Sequence, residues 1–217
     1  MAELSLLEKI IVWAIPVVFA ITVHEVAHGW VANYLGDPTA KSLGRLTLNP
    51  IKHIDPIGTV ALPLILVYLG GFIFGWAKPV PVTWQNLRSP RRDMAIVAAA
   101  GPVANLIMMI LWAVLAKVLL TIDQTPGPLL QSVLVMCSIG IIINIILMVL
   151  NLLPLLPLDG GRVVTSLLPP RLAVLYSRLE PFGLIVILVL LVTGVLANIL
   201  MPVVSALEAV IYNLINS

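Results

Sequence analysis

Long apolar runs broken by short polar stretches make up most of this chain. Four of them, at about 10 to 35, 94 to 120, 129 to 152 and 182 to 201, are each near the length at which a helix crosses a hydrocarbon core of about 30 Å. A fifth, at about 57 to 76, is less regular, because Pro63 and the pair Gly70 and Gly71 can each bend or interrupt a helix. Residues 203 to 217 alternate apolar and polar positions, with Glu208, Asn213 and Asn216, and predict a short helix at a membrane interface. Ser42 to Asn49 alternates partly between polar and apolar residues, which predicts a small β-hairpin near 40 to 52. The expected fold is an all-α integral membrane protein. It is a bundle of about four to six transmembrane helices, with a re-entrant or bent segment near 57 to 76 and that one hairpin.

Composition agrees with the pattern. The chain is 60% hydrophobic and 10% charged, with a mean hydropathy of +1.11, far outside the range of soluble domains. Its 217 residues predict a single membrane-embedded domain, 1 to 217. The first run follows Glu3 and Glu8 with only Lys9, and runs too long for a signal peptide, so it is expected to stay in the mature protein. A net charge of +2, spread over loops, excludes a nucleic-acid stripe. Cys137 is the only cysteine, so an intrachain disulfide and a thiolate zinc site are both excluded.

The loop charges orient the runs. Lys41, Arg45 and Lys52 lie in 36 to 56; Lys78, Arg88, Arg91 and Arg92 in 77 to 92; Arg162, Arg171 and Arg178 in 160 to 178. The stretch from Thr121 to Pro128 carries only Asp123. An excess of basic residues marks cytoplasmic loops, so the three basic loops are expected in the cytoplasm and the Asp123 loop outside. A single crossing by 57 to 76 would put one of its flanking basic loops on the wrong side, so that segment is expected to dip in and return, with a plain fifth crossing as the alternative.

The first run contains His24-Glu25-Val26-Ala27-His28. Ionisable groups inside a membrane helix are costly, and mark function by default. On a helix the two histidines, four apart, share a face, and Glu25 sits about 100° round from His24, within reach of a metal-bound water. The site is expected inside the membrane, nearer the cytoplasm.

A catalytic zinc commonly takes three protein ligands, so one more is needed; the candidates are His53, Asp55, Asp93, Asp123 and Asp159. Asp159 is set apart by its surroundings, Asn151 to Arg162. Pro154 and Pro157 spoil regular helix there, and Gly160 with Gly161 frees the backbone for turns or close approach. An interrupted helix end can thus present the carboxylate beside the histidines. The same residues also read as a capped exit loop in which Asp159 opens the next helix, leaving His53 or Asp55 as ligand. Asn105 and Asn144 are polar groups inside apolar runs. They can line a water route to the metal, and Asn144 can equally be a bond between helices.

Three motifs together resemble the intramembrane site-2 protease family: HEVAHG at 24 to 29, AGPVAN at 100 to 105 and NLLPLLPLDGGR at 151 to 162. They span most of the chain and occur in the family's order. The resemblance implies that His24, His28 and Asp159 bind one zinc ion per chain, that Glu25 is the catalytic base, and that Asn151 lies near the substrate backbone or the oxyanion. It also implies a minimal core without a PDZ or CBS domain, located in the cytoplasmic membrane and acting on membrane-spanning protein or peptide substrates. A strand-forming loop near 42 to 49 is implied to pair with the unwound substrate. A non-proteolytic scaffold that grips partner helices is the competing function, and Glu25 argues against it, because a scaffold needs no base beside its metal. A metal transporter would string polar ligands along several spans, whereas here they cluster near one end.

Overall fold

The computed structural model of the protein describes residues 6–61, 65, 68, 75–123 and 127–216. Among these the regular elements are all helical: α1 Leu6–Tyr34, α2 Thr39–Ser42, α3 Pro90–Ile122, α4 Pro128–Asn151, α5 Asp159–Leu167, α6 Pro170–Ser177, α7 Glu180–Val192 and α8 Val195–Asn216. Four helical stretches, Glu8–Tyr34, Pro90–Ile122, Pro128–Asn151 and Val195–Ile215, are long and apolar enough to cross a membrane. The pair α6 and α7, bent by 59°, makes up to five. Large apolar side chains such as Trp13, Ile110 and Leu111 face outward from these helices, where water would penalise them and lipid does not. The protein is an integral membrane protein.

The core is where α3, α4, α7 and α8 meet. Met109 and Ala113 pack with Ile141 and Ile145, with Ile187, and with Leu196, Leu200, Val204 and Ile211 of α8. Spacings of four and seven in that last set put one stripe of α8 into the core. The end of the chain therefore differs from expectation. The apolar run near 182 to 201 is broken at Gly194, whose φ of 75° stops α7. Beyond it the chain continues as one 22-residue helix containing the 203 to 216 stretch, not a short interfacial helix.

The hairpin expected near 40 to 52 is also absent. Gly44, at φ 63°, closes the single turn of α2, with Arg45 N donating to Ala40 O at 2.9 Å. Asn49 then accepts from Ile51 N at 3.1 Å and opens a 3-10 turn, Pro50–His53. Backbone groups that a β-ladder would need are spent on local turns, which glycine and asparagine favour.

The 57 to 76 segment leaves from a π-helical turn, Pro56–Ala61, capped by Asp55, which accepts from Gly58 N at 2.7 Å. Its far end comes back to the same place: Trp76 N donates to Gly58 O at 3.1 Å, and Thr59 Oγ1 donates to Trp76 O at 2.8 Å. Pro63, Gly70 and Gly71, the expected bend, lie outside the described residues.

Asp37, just past α1, has no exposed surface. It accepts from Thr39 N and Thr39 Oγ1, from Asn86 Nδ2 at 2.9 Å, and from Thr83 N at 2.6 Å. Those contacts tie the end of α1 to the extended stretch after Trp76. Burial pushes the Asp37 carboxyl up, but the donors on Thr39, Asn86 and Thr83 outweigh it and hold it below the ordinary 3.8. A depressed folded value means stability that is present above the unfolded value and lost as pH falls through the folded one. Asp37→Asn is expected to cost about 1–3 kcal/mol at neutral pH. It should also flatten the decline in melting temperature below about pH 4, as measured by thermal unfolding in detergent across a pH series.

Candidate metal centre

The two histidines of α1 face α3, and Gly101 stands where the helices cross. A Cβ at Gly101 would come within 2.6 Å of His24 Nε2 and would also run into His28 Nε2, so only a residue without a side chain lets α3 lie against both rings. Asp159 opens α5, the helix start of the exit-loop alternative, and the glycine after it permits the close approach expected of it: a Cβ at Gly160 would overlap the carbonyls of Leu152 and Leu153. Residues 152–158 thus fold tightly beneath the N-terminus of α5, with turn bonds from Leu155 N to Leu153 O at 2.8 Å and from Leu158 N to Leu155 O at 2.9 Å. The Asp159 carboxylate is carried to the histidines by that fold. Its Oδ2 lies 3.2 Å from His24 Nε2 and 3.3 Å from His28 Nε2, and the two Nε2 atoms are 3.1 Å apart.

Proton positions follow from the partners. Gly140 O can only accept, so Asn144 presents its Nδ2 there, at 2.7 Å, and its Oδ1 to Asn105 Nδ2 at 2.8 Å. Asn105 Oδ1 must then face His24 Nδ1, at 2.6 Å, and the imidazole donates. His28 Nδ1 likewise donates to Val97 O at 2.7 Å. With both Nδ1 atoms protonated, both Nε2 atoms of the neutral rings carry lone pairs. These face each other and a carboxylate oxygen that is buried with no hydrogen-bond donor. Three acceptors in mutual contact repel one another, and an extra proton on one ring would relieve only part of it. A cation relieves all three, and two imidazoles with one carboxylate are a ligand set of catalytic zinc. The residues fit the ion.

Glu25 and Asn151 stand beside this group. They share with His24, His28, Asp159 and Arg162 a cavity of about 520 Å³. Glu25 is held by Val80 N, which donates to its Oε2 at 2.8 Å. Asn151 Nδ2 donates to Leu147 O at 3.0 Å, one turn back on α4. The remaining ligand candidates are engaged elsewhere. The His53 ring reaches Thr47 O at 2.9 Å, Asp55 caps its turn, and Asp93 accepts from Ser89 N at 2.7 Å at the start of α3. Asp123 is about 33 Å of helix beyond Gly101.

Asn105 and Asn144 are wholly buried and bonded to each other, and through Asn105 Oδ1 they orient His24. A ligating histidine needs an acceptor for its second ring nitrogen, and an asparagine four residues after Gly101 was the available signal. Asn105→Ala is expected to weaken zinc binding about 10- to 100-fold, read by competition with a chromophoric chelator. It also strands Asn144 Oδ1, a destabilisation of about 1–3 kcal/mol.

A bundle of membrane-length helices holding two histidines and a carboxylate, with a further carboxylate alongside, defines a membrane-embedded metallohydrolase. The sequence profile of Peptidase family M50 matches residues 12–122 and 118–194. The chain is 41% identical over 197 residues to "Putative zinc metalloprotease YwhC" of Bacillus subtilis, covering 88% of this chain and 85% of that one. It is 30% identical over 178 residues to "Putative zinc metalloprotease Rip2" of Mycolicibacterium smegmatis, covering 82% and 65%. Against the Rip2 of Mycobacterium tuberculosis H37Rv it is 29% identical over 171 residues, covering 79% and 62%. No solved structure matches. The chain belongs to peptidase family M50, the site-2 proteases, and is a zinc metalloprotease by that membership.

Proposed function

We propose that the protein is an intramembrane endopeptidase that hydrolyses peptide bonds of membrane-spanning proteins or peptides, using one zinc ion per chain. The observation that carries this reading is the placement of Glu25. Its carboxylate shares the cavity with His24, His28 and Asp159 without joining their group, in a helix long and apolar enough to cross a membrane. His24, His28 and Asp159 would hold the zinc, which when bound would supply the Lewis acidity that acidifies water and polarises a carbonyl. Glu25 takes the proton of the attacking water on a carboxylate oxygen and returns it to the leaving amine nitrogen. Asn105 and Val97 keep the two rings in the tautomer that leaves Nε2 free. Asn151, on the cavity wall, holds the substrate backbone or the developing oxyanion.

The basic loops face the cytoplasm in this reading, so the site lies nearer that side of the cell membrane. Gly58 and Trp76 are in contact, whereas the two ends of a single crossing lie about 30 Å apart. The test is cleavage of a single-span peptide by purified protein in liposomes, with zinc measured in parallel. Zinc-dependent release of two fragments cut within the span supports the proposal. Zinc binding without cleavage of any single-span peptide supports the scaffold reading instead.

A further inference from the structure

We propose that Arg45 is a positioning residue for this reaction, holding the backbone of 78–80 so that the Val80 N–H meets the Glu25 carboxylate. The inference rests on the reading of Glu25 as the proton acceptor.

Residues 77–82 read Ala-Lys-Pro-Val-Pro-Val and run outside any helix along the wall of the cavity. Proline has no N–H, so between 79 and 81 the chain has one donor, Val80 N, and that donor is spent on Glu25 Oε2. Nothing periodic keeps such a stretch in place, so its position comes from outside contacts. Arg45 Nη2 donates to Lys78 O at 2.8 Å and, at 3.5 Å, to Pro79 O, while Lys78 N donates to His53 O at 2.9 Å. The Val80 side chain settles over Gly29, one helical turn beyond Glu25, where a Cβ would meet Val80 Cγ1 and Leu46 Cδ2 at 2.7 Å each. The residue that clamps the carbonyls and the residue that is docked on α1 are thus coupled through adjacent positions, Arg45 and Leu46.

Arg45 is 8% exposed and forms no ion pair among the described residues, and its Nε is buried without a hydrogen-bond partner. A guanidinium buried without a carboxylate is costly, and carbonyl dipoles alone compensate it poorly. That cost is accounted for if the clamp fixes the one N–H that orients the base. With Oε2 tied, the other carboxylate oxygen is left to face the cavity and take a proton.

The test compares Arg45→Gln, Arg45→Lys and Val80→Pro in purified, zinc-loaded protein on a single-span peptide. Misplacing a reacting group by about 1 Å costs on the order of 10²-fold in rate. Arg45→Gln is therefore expected to lower kcat by about 10- to 100-fold, with KM within about twofold and zinc content unchanged. Arg45→Lys, which keeps a charged donor, should recover part of the loss. Val80→Pro removes the N–H itself and should reproduce the effect, and the double variant should be no worse than the poorer single one, because both act through one bond. Hydrogen exchange of the zinc-free protein gives a readout independent of turnover: the Val80 amide should be protected in the parent and lose protection in Arg45→Gln.

Parent-like kcat in Arg45→Gln overturns the proposal, and so does a loss of kcat in the folded variant that follows loss of zinc. Multiplying losses in the double variant also overturn it. If Arg45→Gln does not fold, Val80→Pro decides alone, and unchanged kcat there is fatal. Glu25→Gln separates the two levels. Parent-like cleavage in that variant removes the base reading itself, whereas an inactive Glu25→Gln beside a fully active Arg45→Gln removes only the role of Arg45.

Discussion

Glu25→Gln is expected to leave zinc bound and to abolish most cleavage, with kcat lower by about 10²- to 10⁴-fold. The amide keeps the size of the carboxylate and can still accept the Val80 N–H, so the cavity wall stays in place. What it loses is the capacity to hold a proton between the attacking water and the leaving amine. The metal group is untouched, since its three ligand atoms come from His24, His28 and Asp159 and lie within 4.8 Å of one another. Zinc content by elemental analysis and turnover on a single-span peptide, measured on the same preparation, check the expectation. Zinc lost together with activity would make Glu25 a ligand, and activity kept would remove it from the mechanism.

Gly101→Ala carries the second large effect, and it acts on the metal. The added methyl has no space between the rings: it would stand 2.5 Å from His24 Cε1 and 2.6 Å from His24 Nε2, with His28 Nε2 crowded as well. Both rings are anchored at Nδ1, so neither can turn aside without breaking a buried hydrogen bond to Asn105 or Val97. Overpacking of this kind costs about 1–3 kcal/mol, which at about 1.4 kcal/mol per tenfold is roughly 5- to 140-fold in zinc affinity. Gly127→Ala is the matched control, since no described residue lies within 4 Å of a Cβ there. Calorimetric zinc titration of the two variants should show weakened binding for Gly101→Ala alone. Equal affinities would mean that α1 and α3 can part at their crossing without cost.

Much of the site was legible because helix geometry is local. His24 and His28 share a face in any helix that contains them, and Pro154 and Pro157 break a helix in any context. The partners of the rings were not legible, because His24 meets Asn105 across 81 positions and His28 meets Val97 across 69. No periodicity within one run reports on a contact of that separation. Val80 was hidden for another reason. Its contribution is a backbone N–H, which every residue but proline has, so only its position distinguishes it.

Two misreadings share one cause. The alternation in Ser42 to Asn49 and the apolar continuity of 182 to 201 are both side-chain patterns, and both were overruled by glycines at positive φ, Gly44 and Gly194. Asp37 shows the converse. No side-chain pattern marks it, yet it is buried among donors from Thr39, Thr83 and Asn86.

The order of residues by itself determined that the chain lives in a membrane, and that two imidazoles and a neighbouring carboxylate share a helix there. Both follow from apolar run length and from the 3.6-residue turn. Only the packing of α1, α3 and α5 decided which distant carboxylate joins the histidines, which ring nitrogens remain free, and what steadies Glu25. Those contacts depend on segments brought together by the whole bundle, with Gly101 and Gly160 allowing the approach.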